Sequence, residues 1–238
     1  MKQWKTRSGY IIYQLISGRS NVFLLTSGNA NILVDTSVSR SWKKLQKHLS
    51  KLKIKSIDYL VLTHAHFDHA ANAKKIKETF GAKVIIQKED ENFILKGENI
   101  LPNGTNFISK ILIKLYGKKF MSLLKYEPCI PNIIVDNKFH LNESGFNAYL
   151  KHTPGHTPGS LCLVIDDEIS IVGDTMFGVF KWSAFPPFAQ NKDQMIKSWG
   201  ELLKTNCQLF LPSHGTEINR HLMQKTYNKS QSINMNRI

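Results

Sequence analysis

The segment Thr63-His64-Ala65-His66-Phe67-Asp68-His69 sets three histidines and a carboxylate within six residues, directly after the apolar run Ile57-Asp58-Tyr59-Leu60-Val61-Leu62. Imidazole nitrogens and carboxylate oxygens are the donors that zinc-like divalent ions accept, and few other roles concentrate so many of them. If the strand continues through Thr63, His64 and His66 lie two residues apart on an extended segment and project to one side, where they can share an ion. Asp68 and His69 then fall where a helix should begin, because Ala70 to Glu78 is rich in helix formers and Asp is a favoured N-cap. Those two ligands can face a second ion. A solvated surface cluster of histidines is the plainer reading of this segment alone.

Three downstream segments favour the metal. Lys151-His152-Thr153-Pro154-Gly155-His156-Thr157-Pro158-Gly159-Ser160, Ile171-Val172-Gly173-Asp174-Thr175-Met176-Phe177 and Leu211-Pro212-Ser213-His214-Gly215 each place a candidate ligand after a strand-like run. Loops at strand ends, held by a rigid scaffold, let ligands converge from distant parts of a chain.

These four motifs, in this order from about Ile11 to Gly215, resemble the metallo-β-lactamase superfamily of hydrolases. The resemblance implies a four-layer αββα sandwich of two mixed sheets flanked by helices. It implies that His64, His66 and His156 hold one divalent ion and Asp68, His69 and His214 a second, with Asp174 between them. Zinc is the expected metal, with iron or manganese as alternatives. A water shared by two such ions loses its proton near neutral pH, the pKa falling from ~15.7 in bulk to ~7 on a catalytic zinc, and the hydroxide attacks the substrate. Asp68 is the candidate catalytic residue, orienting that nucleophile or carrying a proton to the leaving group. Thr63, Thr153, Thr157, Thr175 and Ser213 flank the ligands and are candidate hydrogen-bond supports. Asp35 and Asp58 are weaker candidates, solvated or turn-capping carboxylates being commoner.

The chain of 238 residues is long enough to bury a large core as one domain, read here as 1–238 with an insertion at about 89–137 and a polar, fraying tail from about Tyr227. No apolar stretch reaches the ~20 residues that span a bilayer, and the N-terminus lacks a signal-peptide core, so the expectation is a cytoplasmic protein. Cys129, Cys162 and Cys207 are too few and scattered for a disulfide framework. The net charge of +14 could attract nucleic acid. Yet only five of the 32 basic residues are arginine, the usual choice for planar phosphate recognition, and the lysines are spread along the chain. A solvated lysine-rich surface is the reading adopted, with a small molecule as the partner.

Strands are predicted at Ile11–Ile16, Asn21–Thr26, Asn31–Asp35, Ile57–Leu62, Val84–Gln87, Ala148–Thr153, Leu161–Ile165, Ile169–Val172 and Gln208–Leu211, with a hairpin turn at Asp166-Asp167. Helices are predicted at Arg40–Leu49, Ala70–Phe80 and Asp193–Leu203. The stretch Phe107 to Leu124, with Ile111, Leu112, Leu115 and Leu123-Leu124 at mixed helical spacing, reads equally as a pocket wall or as a helix covering a sheet edge. Phe177 to Phe188 follows Asp174 at once and reads as an aromatic pocket wall.

The Gly-Asp-Thr and Thr-Pro-Gly-His-Thr-Pro-Gly-Ser segments resemble glyoxalase II-like thioesterases, and the length is similar to lactonases. Ala70-Ala71 stands where the family usually carries two glycines, and Phe177 where a lactonase tyrosine is expected. The expected activity is hydrolysis of an ester, thioester, lactone or related carbonyl substrate. A phosphodiesterase or nuclease using the same ions, and a persulfide dioxygenase-like oxidoreductase using one iron, are the alternatives.

Overall fold

The computed structural model describes residues 1–18, 20–117 and 124–235. Seven strands form the first sheet in sequential order: β1 (Gln3–Lys5), β2 (Ile11–Ile16), β3 (Val22–Thr26), β4 (Asn31–Val34), β5 (Tyr59–Val61), β6 (Lys83–Gln87) and β7 (Ile133–Val135). The second sheet holds β8 (Lys138–His140), β9 (Ala148–His152), β10 (Leu161–Ile165), β11 (Ile169–Gly173), β12 (Leu209–Pro212) and β13 (Ile218–Asn219), in the order β13-β12-β11-β10-β9-β8. Both sheets are mixed: β4, β5, β6 and β7 run parallel, as do β11 and β12, and the remaining pairs are antiparallel.

Strands buried on both faces explain the layering. Alternate side chains of a strand point to opposite faces, and a sheet covered on both sides therefore reads as a continuous apolar run. In β3, Phe23 and Leu25 join Leu161, Leu163 and Ile165 of β10 in the core between the sheets. Val22 and Leu24 point the other way, to Leu45 and Leu49 of α1 (Trp42–Lys51) and Ile76 of α3 (Ala73–Phe80). Cys162 and Val164 of β10 likewise meet Met195, Trp199 and Leu202 of α6 (Lys192–Leu203). The result is the expected αββα sandwich. No helix among the described residues is long and apolar enough to cross a membrane.

Four expectations change in detail. The strand after Ile57 ends at Val61, although Leu62 N still donates to Ile85 O and Thr63 O still accepts from Leu161 N. The helix expected from Ala70 is broken into α2 (Phe67–Ala70) and α3, because the buried Asn72 turns its amide to Thr36 O and Val38 O at 3.0 and 3.1 Å. Asp68 is not an N-cap: His66 occupies that position and Asp68 lies in the first turn. The segment from Tyr227, expected to fray, continues α7 (Arg220–Met235) as far as Met235, and its last three residues lie outside the described ones. Its anchor is Tyr227, packed against the core that surrounds α6, with Ser230 buried nearby.

Between β6 and β7 the chain forms α4 (Glu91–Lys96), α5 (Phe107–Leu112) and a π-helical turn at Ile113–Gly117. Leu123, invoked in the helical spacing of this stretch, lies outside the described residues. Phe107 and Ile108 are 78 % and 70 % exposed, so α5 does not serve as cover for a sheet edge.

Candidate metal centre

The seven candidate ligands come from four loops at one end of the two sheets, and the structure brings all of them together. Donor atoms of His64, His66 and His156 lie within 4.8 Å of one another, as do those of His64, His69 and Asp174, and those of Asp68, His69 and His214. Asp174 reaches both ends of the group: its Oδ2 is 3.5 Å from His156 Nε2 and 3.3 Å from His214 Nε2, and its Oδ1 is 3.5 Å from His69 Nε2. Asp68 stands at the outer edge, with Oδ2 3.5 Å from His214 Nε2 and Oδ1 3.8 Å from His69 Nε2.

Gly173 explains how Asp174 gets there. Its φ of 53° is a conformation glycine adopts without strain, and a Cβ at that position would stand 2.7 Å from Thr63 Cβ. The end of β11 therefore closes directly on the histidine loop.

Backbone and side-chain acceptors decide which ring nitrogen each histidine offers. A carbonyl can only accept, so the nitrogen facing it must carry the proton. His66 Nε2 donates to Ile100 O at 2.9 Å and His156 Nδ1 to Phe188 O at 3.0 Å. The Thr63 hydroxyl proton is committed to Asp35, leaving its oxygen to accept from His64 Nδ1 at 3.2 Å. Three lone pairs are thereby aimed at one point, with His64 Nε2 2.9 Å and His156 Nε2 3.2 Å from His66 Nδ1. Nitrogens bound to one tetrahedral zinc stand about 3.3 Å apart.

The electrostatics match that geometry. Burial, reinforced by the neighbouring imidazoles, holds His64 well below the usual imidazole range and His66 at about 3, and burial lowers His156 as well. All three are neutral ligands at physiological pH. For His69 burial acts downward too, but Asp174, Asp35 and Asp68 outweigh it and raise the ring to about 10. His214 is raised in the same sense by Asp174. His69 Nε2 and Asp174 Oδ1 are buried with no hydrogen-bond partner among the described residues, a costly arrangement that a divalent cation between them would satisfy. Facing lone pairs, orphaned donor atoms and an N/O donor set all fit metal ions.

Two carboxylates behind the ligands tie the loops together. Asp35, itself at φ 61°, accepts from Thr63 N and Oγ1, from Ser213 Oγ at 3.1 Å and from His69 Nδ1 at 2.8 Å. Asp90 is fully buried and accepts from Ala65 N, Thr157 Oγ1 and Gly159 N, joining the loop of His64 and His66 to that of His156. Thr63, Thr157 and Ser213 thus support the site as expected. Thr153 and Thr175 instead form a hydroxyl–thiol cluster with Cys162 away from the ligands. Asp58 caps a turn, accepting from Asn31 N.

Sequence reasoning missed Asp90, because Lys88-Glu89-Asp90-Glu91 reads as a solvated charge run. It also missed the carbonyls of Ile100 and Phe188, which leave no mark on residue identity.

A cavity of about 420 Å³ opens over the ligands, lined by His66, Asp68, His156, Asp174 and His214 at its floor and by Pro102, Leu112, Ile113, Tyr116, Phe177 and Phe188 above. Phe177 stacks on His214 with ring centroids 4.6 Å apart. Both predicted wall segments therefore contribute to the cavity.

A family model described as "Metallo-beta-lactamase superfamily" matches residues 16–214. The chain belongs to this superfamily. It is a hydrolase of the metallo-β-lactamase fold. An uncharacterized protein of Bacillus subtilis is 30 % identical over 192 residues, covering 75 % of this chain and 75 % of that one. A probable metallo-hydrolase of Methanocaldococcus jannaschii is 29 % identical over 165 residues, 68 % of this chain and 71 % of its own length. A hydroxyacylglutathione hydrolase of Pelagibacter ubique is 29 % identical over 138 residues, which are 58 % of this chain but only 43 % of that enzyme. In fold, a metallo-β-lactamase from Cronobacter sakazakii superposes with a TM-score of 0.68 at 16 % identity, covering 100 % of this chain and 94 % of that one. An archaeal superfamily protein from Sulfolobus tokodaii gives 0.65 at 17 % identity, covering 92 % and 86 %.

Proposed function

We propose that this superfamily member is a dinuclear metal-dependent hydrolase, with zinc as the first choice of ion, acting on an ester, thioester or lactone that carries an apolar substituent. The convergence of seven donor residues on the floor of a largely apolar cavity carries the reading. His64, His66 and His156 would hold one ion, Asp68, His69 and His214 the other, and Asp174 would contact both. When bound, such ions activate water at neutral pH and polarise the scissile carbonyl.

The chain's own residues do the rest. Ile100 O, Phe188 O and Asp35 fix the tautomers of His66, His156 and His69, so no reorientation is needed before catalysis. Asp68, partly exposed at the cavity edge, is placed to receive a proton and pass it to the leaving group. Phe177 covers His214 and, with Leu112, Ile113, Tyr116 and Phe188, excludes water while seating the apolar part of the substrate.

The test is turnover by the zinc-loaded protein on esters, thioesters and lactones of increasing acyl length, beside a glutathione thioester and a phosphodiester. Rising kcat/KM with acyl length is expected. Preference for the phosphodiester, or oxygen consumption with bound iron, would replace the proposal by one of the alternatives.

A further inference from the structure

Thirteen large apolar side chains are exposed among the described residues, and nine of them fall in two short segments, Phe107 to Tyr116 and Val179 to Trp182. Their exposure is high: 78 % for Phe107, 70 % for Ile108, 64 % for Leu115 and 72 % for Trp182. A cluster of this kind at a cavity mouth marks an interaction surface rather than scattered surface residues.

The two segments are neighbours. Thr105 N donates to Pro187 O at 3.0 Å, and Thr105 Oγ1 to Pro186 O at 2.7 Å. Asn106, the N-cap of α5, shares a cleft with Phe180 and Trp182. The same surface is cationic. No Asp or Glu occurs from Asn99 to Tyr126 or from Thr175 to Lys192, and exposed Lys110, Lys114 and Lys181 stand among the apolar side chains.

We propose that this rim docks on an anionic lipid bilayer surface. Aromatic and aliphatic side chains interleaved with lysines are what an interfacial contact needs: the former enter the headgroup boundary and the latter meet acidic headgroups. Charge argues against a second copy of this chain as the occupant. Self-association through this rim would oppose lysines to lysines, with no carboxylate in either segment to pair with them. Leu112 and Tyr116 belong both to the rim and to the cavity wall, so docking places the cavity mouth at the lipid surface. Vesicle binding reads no turnover and stands apart from the proposed hydrolysis.

The experiment is sedimentation of the full chain with vesicles of phosphatidylcholine alone or of phosphatidylcholine and phosphatidylglycerol in equal parts, with tryptophan emission recorded. Binding only to the phosphatidylglycerol vesicles is expected, weakened by salt, with a blue shift that Trp182→Phe removes. Phe107→Ser combined with Leu115→Ser, and separately Lys110→Glu combined with Lys114→Glu, should each weaken binding at least tenfold while circular dichroism and melting temperature stay unchanged. Absence of binding to either vesicle would overturn the proposal. So would lipid-free dimerisation abolished by the apolar substitutions, since a second copy would then be the occupant.

Discussion

Asp35 Oδ2 lies 2.8 Å from Nδ1 of His69, and through that bond a residue at the end of β4 determines which nitrogen His69 presents to Asp174. The same carboxylate holds Thr63 and Ser213, so a single buried group joins two of the loops that carry ligands. Replacing it with alanine frees the His69 ring and leaves several buried donors unpaired. Asp35→Ala is expected to bind the added metal about 10–100-fold more weakly and to lose roughly 2–4 kcal/mol of stability, measured by competition with a chromophoric chelator and by denaturant unfolding.

Asp90 makes a similar prediction for the other half of the site. Its carboxylate accepts three donors, from Ala65 N, Thr157 Oγ1 and Gly159 N. Asparagine has the same shape but turns an NH2 toward at least one of those donors. Asp90→Asn should therefore cost about 2 kcal/mol despite being isosteric, and affinity at the site of His64, His66 and His156 should fall. Unchanged melting and metal affinity would show that Asp90 does not join the loops.

The metal-free protein should be most stable near pH 6.5. On the acid side, His66 titrates at about 3 in the folded chain against about 6.5 unfolded, and His64 and His156 are lowered in the same sense. Their stability is present above the unfolded value and is lost as pH falls, because the unfolded chain takes up protons first. Asp90 acts oppositely: burial raises it to about 6, so its contribution grows as pH falls toward 4. His66 alone, displaced further than Asp90 and aided by two more histidines, decides the sign. On the alkaline side, His69 is raised to about 10, and its stability is lost as pH rises from about 6.5 through 10. Denaturant midpoints of chelator-treated protein across this range would check both slopes.

The thiols offer a control that involves no metal. Cys129, Cys162 and Cys207 are buried, and burial pushes Cys162 up to about 12 and Cys207 to about 11. None should react with a disulfide reagent in the native protein on the time scale of a free thiol, and all three should react in denaturant. Rapid native labelling of any one would mean that its core region opens.

Much of this was legible in the sequence, for identifiable reasons. The ligands announce themselves because a metal demands particular residue types, and the strands because burial on both faces demands unbroken apolar runs. Asp35 was visible only as a weak candidate, since its importance depends on Thr63, His69 and Ser213 arriving from elsewhere in the chain. Asp90 was hidden among charged neighbours, although tertiary burial separates it from them. The break between α2 and α3 at Asn72 was equally hidden, because local helix propensity favours continuity and the carbonyls of Thr36 and Val38 override it.

Metal content of the purified protein, set beside activity before and after chelation, tests the central claim most directly. Two equivalents of divalent metal per chain are expected, with hydrolysis lost on chelation and restored by zinc, and His66→Ala should lose metal and activity while keeping its fold. Metal-free protein that hydrolyses its substrate at the full rate, or a His66→Ala variant with full turnover, would contradict it.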